Sequence, residues 1–145
     1  MPRVLVYVLI FIGIGVVSSV LGIINPFVII GNMGLEEWPA RIYFLLIGIL
    51  LMTCFYGIIK KESWAYKLTI NWYILHSIIL LFNFVMFVLN MDEVISLKQA
   101  HNPEHAQIYT SASVSFTMFS TFLLGVVFAL FIIVNLYRNK EYFNK

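Results

Sequence analysis

Four apolar runs, 4–30, 42–59, 64–90 and 113–137, contain not one Asp or Glu, and they leave little of the chain over. A helix rises about 1.5 Å per residue and the hydrocarbon core of a bilayer is about 30 Å thick, so each run is close to one crossing. The residues are 61% hydrophobic and only 11% charged, with a mean hydropathy of +0.93. Soluble domains carry about 25% charged residues. The expected fold class is therefore an all-α integral membrane protein, a four-transmembrane-helix bundle in which residues 1–145 form one domain. The expected location is a membrane, multi-pass, and the plasma membrane if the source is prokaryotic. The bilayer is the first partner, and nucleic acid is not implied. A basic start precedes the first run, but the run exceeds the usual 7–15 apolar residues of a secretory signal, so it is expected to stay in the mature chain.

The third run carries the most informative pattern. Within Tyr66–Asn90, the residues Thr69, His76, Asn83 and Asn90 fall seven apart. Seven residues make almost two helical turns, so the four groups stack along one face with a drift of about 20° per step. Unpartnered polar groups are expensive in hydrocarbon, and this face is expected to look at protein or water. Thr69, His76 and Asn83, joined by Asn25 from the first run, make the candidate ligand site.

The ends of the runs carry their own signals. Pro26 is expected to kink or end the first helix and to free carbonyls that something must satisfy, with Phe27–Gly31 as a bent continuation. Residues 31–41 form the first outer loop, with Pro39 opening the second helix. Residues 60–63 form a tight turn with Ser63 as N-cap of the third. In the second outer loop, 91–112, Val94, Ile95 and Leu97 suggest a segment lying on the membrane surface. Asn102-Pro103-Glu104 reads as a further helix start. Residues 138–145 form a basic tail.

Charge sets the orientation. Arg3, Lys60, Lys61, Lys67, Arg138, Lys140 and Lys145 lie on one side, against Arg41 and Lys98 on the other. Seven to two predicts that both termini, and the 60–63 turn, face the cytoplasm.

Small residues mark two ridges for close helix contact. In the first run these are Gly15, Ser18 and Gly22, at three- and four-residue spacing; in the fourth they are Ser113, Thr117, Thr121, Gly125 and Ala129, every fourth position. Both are expected against protein. A repeat is also visible: NPFVIIGN from Asn25 resembles NFVMFVLN from Asn83, and FLLIG from Phe44 resembles FLLG from Phe122. Two duplicated hairpins, parallel in the membrane, would produce this pattern, and so would chance among so few apolar residue types.

Chemistry is sparse. His76 sits mid-span, where an ionisable residue is a functional candidate, but the carboxylates of a proton relay are missing. His101 and His105 have ligand-like spacing and, with Glu104, are weak candidates for a metal; with Asn102 as a cap they do not share a helical face. Cys54 reads as a buried small side chain. No cofactor motif is present and no enzyme is expected. The expected function is a non-catalytic tetraspan subunit or scaffold that packs against other membrane proteins or itself. The alternative is a small channel, transporter or ligand-binding bundle with an outward-facing polar site on the third span.

Overall fold

The computed structural model describes residues 1–143, so that Lys145, one of the seven basic residues counted above, lies outside the described residues. In chain order the elements are α1 (Arg3–Ile24), β1 (Phe27–Ile30), β2 (Met33–Glu36), α2 (Glu37–Ile59), α3 (Ser63–Leu89), α4 (Met91–His101) and α5 (Ser111–Arg138). One 3-10 turn, Pro103–Ile108, joins α4 to α5, and another, Lys140–Phe143, follows α5. The long helices α1, α2, α3 and α5 are each long and apolar enough to cross a membrane.

The first helix stops earlier than its apolar run. The residue before a proline is biased away from the helical region, and Asn25 takes φ −114°, ψ 82°. Phe27–Ile30 is then a strand rather than a bent helix: it pairs antiparallel with Met33–Glu36, Phe27 opposite Glu36 and Ile30 opposite Met33. The two loop residues are Gly31, at φ +65°, and Asn32, which stays at negative φ. Glycine at the first loop position with positive φ is the signature of a type II′ hairpin turn, and this local chemistry wins over the apolar run. The resemblance between the segments from Asn25 and Asn83 therefore does not extend to structure, because the second remains helical. In the other pair both segments are helical, with Gly48 facing Ser19 of α1 and Gly125 facing Leu80 of α3.

The helix ends are also closed differently from expectation. Ser63 is the first residue of α3, with Glu62 before it and no side-chain cap. The turn is held from the α2 side instead, where Lys61 at φ +61° lets its N–H reach the Ile58 carbonyl and the Glu62 N–H reach Gly57. Those two bonds form a Schellman motif, with lysine in the position that normally favours glycine. Pro39 sits in the first turn of α2, two residues inside it. The side chain of Asn102 does not cap the 3-10 turn. Thr110 and Ser113 make a reciprocal capping box for α5, a role absent from the ridge reading of Ser113.

Helix α1 packs mainly on α2, and α3 mainly on α5. The main core joins both pairs at the end where the termini lie, through Leu5, Val8, Ile58, Ala65, Leu136 and Phe143. A smaller cluster, Phe87, Val94 and Val114, closes the opposite end, beneath α4. The apolar side of α4 is thus spent on the protein itself.

Candidate functional site

The seven-residue polar stripe does not converge into one site. Thr69 is fully buried beside Cys54 of α2, and its hydroxyl donates back to the Ala65 carbonyl at 2.7 Å. His76 is half-buried and lies over Trp72 of its own helix, with ring centroids 5.8 Å apart. Asn83 Oδ1 accepts from the Gly31 N–H at 2.8 Å, tying the hairpin turn to α3. Asn90 donates to the Met86 carbonyl at 2.9 Å. Over three steps the drift reaches about 60°, enough to turn the two ends of the stripe toward different neighbours.

What is assembled instead lies at the hairpin end. The hairpin folds over the end of α3, Asn32 Nδ2 donates to Glu93 of α4 at 3.0 Å, and the His101 ring stacks on Phe27 with centroids 4.0 Å apart. His101 Nδ1 also lies 3.4 Å from Glu36. Arg41 donates to the Ile23 carbonyl at 2.9 Å, satisfying one of the acceptors that the break at Pro26 sets free.

Two cavities open in this assembly. The larger, about 300 Å³, has Leu80, Asn83 and Phe84 of α3 on one wall and Met118, Thr121 and Phe122 of α5 on the other. Strand β1 and Lys98 close it above. The smaller, about 230 Å³, is lined by Asn25, Phe27, Lys98, His101, Asn102 and Tyr109. Asn83 and Asn25, paired in the sequence reading, thus face neighbouring cavities that share Phe27 and Lys98, while Thr69 and His76 belong to neither. Burial pushes the Lys98 ammonium below its ordinary value. Sequence reasoning counted Lys98 only as a loop charge. The available signal was its place in MDEVISLKQAH, where it follows Leu97 one position along a helix whose apolar residues turn inward.

The ridges are divided. Gly15 and Gly22 face α2, where an added Cβ would come within 2.9 Å of Leu51 and 2.5 Å of Phe44, but Ser18 is exposed and Ser19 takes the buried position. In α5, Ala129 is buried and an added Cβ at Gly125 would come within 2.5 Å of Leu80. Thr117 and Thr121 are exposed, so within the chain only part of the ridge meets protein.

His105 and Glu104 are exposed in the 3-10 turn and His101 is engaged with Glu36. Among the described residues no group of three His, Cys, Asp or Glu comes together as a metal site. One cation and one carboxamide in a mainly apolar cavity can hold an anion with an apolar body. No family model, no curated protein and no solved structure matches this chain.

Proposed function

We propose that the protein is a non-catalytic four-span membrane subunit or scaffold, with both termini in the cytoplasm, that acts by packing against other membrane proteins or against itself. The observation that carries this reading is how the polar stripe of α3 is used. Thr69, Asn83 and Asn90 are each hydrogen-bonded to backbone, and His76 lies against Trp72, so most of the face a channel or carrier would need is spent on structure. Two surfaces suit a partner helix. One is the exposed stretch of the α5 ridge at Thr117 and Thr121, and the other is an apolar groove between α1 and α5 lined by Phe11, Val127, Phe128 and Phe131. Small residues and open apolar seams are what helices use to associate where lipid offers no hydrophobic drive.

The test is the mass of the particle. Full-length protein extracted from its own membrane in mild detergent should run by light scattering as a species larger than its 16.8 kDa chain. A photo-crosslinker at Thr117 or Phe128 should capture the neighbour. A monodisperse single chain with no crosslink at either position would sink the proposal. For orientation, single cysteines replacing Glu37 and Glu93 should react with an impermeant thiol reagent on intact cells and one replacing Lys61 should not. Reaction at position 61 alone would reverse the assignment.

A further inference from the structure

Among the described lysines and arginines, only Arg41 and Lys98 are not exposed. Arg41 is engaged by the Ile23 carbonyl, whereas Lys98 has no ion-pair or hydrogen-bond partner among the described residues. A half-buried ammonium without a counter-charge carries a desolvation cost, and its depressed proton affinity reports that cost. The cost falls when an anion arrives to form a charge-assisted hydrogen bond.

The cavity that Lys98 lines has apolar walls for such an anion's apolar part. Leu80 lies nine residues from the end of α3, and Phe122 eleven from the start of α5, or about 14 and 17 Å at 1.5 Å per residue. This is about half of a 30 Å hydrocarbon core, so the cavity lies within one leaflet. At its upper end the orientation of the Asn83 amide is fixed, because the Gly31 N–H can only donate and must meet Oδ1. The Nδ2 protons remain as donors in the cavity that Lys98 also lines.

We propose that this cavity binds a single-chain anionic amphiphile of the long-chain fatty-acid kind. Its carboxylate meets Lys98 Nζ and Asn83 Nδ2, and its acyl chain runs between α3 and α5 past Leu80, Phe84 and Phe122. A volume of about 300 Å³ is at the small end for ligand cavities and suits one chain, and a lone ammonium suits one charge. The inference rests on the chain spanning a bilayer, but not on its association with other proteins.

The test uses full-length protein in neutral-detergent micelles and a diazirine-bearing palmitate, with adducts mapped by mass spectrometry. Adducts should fall in Phe27–Ile29, Leu80–Phe84 and Met118–Phe122. Half-saturation should rise about tenfold or more in Lys98→Gln, as loss of a charge-assisted bond implies, and should be kept in Lys98→Arg. Thr121→Trp, which fills the cavity from an exposed position and leaves Lys98 intact, should also lose the adducts. Thr121→Trp carries the test by itself if the melting midpoint shows that Lys98→Gln does not fold. Unlabelled palmitate should compete, and neither its methyl ester nor a two-chain anionic phospholipid should do so. Adducts spread evenly over the long helices, or unchanged in both variants, would overturn the site. Equal competition by the methyl ester would overturn the role of charge, and equal competition by the phospholipid would overturn the single chain. Because labelling is read at the residue, a particle of one chain's mass would defeat the subunit proposal and leave this result standing.

Discussion

The two ends of the bundle are closed by different physics. At the termini end the chain is helical almost to its limits, so most backbone groups are bonded within their own helices, and the cluster of Leu5, Ile58, Ala65 and Leu136 that joins the pairs is apolar. At the hairpin end two strands, a short helix and a 3-10 turn leave backbone groups that no helix satisfies, and side chains take them up. Asn83 receives the Gly31 N–H, Arg41 serves the Ile23 carbonyl, and Gln99 donates to the Tyr109 carbonyl at 3.1 Å. Polar groups at one end are thus the consequence of irregular backbone, and the two cavities that have Lys98 in their lining lie among them.

This contrast breaks most sharply at Gly57. A Cβ there would overlap Ala65, whose own Cβ is fixed to the backbone of α3, so Gly57→Val must push two helices apart. It should cost about 3 kcal/mol or more, read as a lowered midpoint of unfolding in detergent. An unchanged midpoint would mean that the termini end is not close-packed.

Gly125→Ala sharpens the point, since its Cβ would meet Leu80 Cδ1, the far end of a flexible side chain, at 2.5 Å. A rotamer change relieves it, and the cost should be about 1–2 kcal/mol. Thr121→Ile, at an exposed ridge position, should leave the isolated chain unchanged, so a large loss there would show that the ridge is covered in solution.

At the hairpin end, Asn83→Leu leaves the buried Gly31 N–H without an acceptor. The expected loss is about 1–3 kcal/mol, confined to that end: amide exchange should quicken over 27–36 while the termini-end amides keep their protection. Uniform loss of protection would show that the two ends are one cooperative unit.

The turn at the termini end can be improved. Lys61 holds a left-handed backbone that costs a residue with a Cβ about 1 kcal/mol, so Lys61→Gly should gain about that much. A lowered midpoint would show that the Lys61 ammonium, 5.0 Å over the Tyr142 ring, outweighs the strain.

The smallest expected effect is at Lys98. Its charged form is disfavoured in the folded chain, so the unfolded chain holds that proton more tightly and stability should rise slightly as pH climbs through the folded value toward the ordinary lysine range. Lys98→Met should raise the midpoint slightly at neutral pH and abolish that alkaline rise. A drop in midpoint would mean that the ammonium has a stabilising partner.

Four helices were legible in the sequence because a run of apolar residues long enough to form its own hydrogen bonds needs no information from elsewhere. The break at Pro26 was legible for the same reason, being a matter of one residue's missing N–H and its effect on Asn25. The hairpin was within reach too: FVII followed by Gly-Asn carries a strand and a turn, but the longer apolar run masked it. What the sequence could not hold was which neighbour each polar side chain would meet. Heptad spacing put Thr69, His76 and Asn83 on one face, yet the first is settled by Cys54 and its own helix, the second by Trp72, and the third by a glycine 52 positions away. Lys98 drew no attention in a loop of mixed charge; only the folding of β1, α3 and α5 around it made it a half-buried cation above an apolar cavity. Local bonding rules are written residue by residue along the chain, whereas burial is a property of what arrives from elsewhere, and that is decided only when the helices pack.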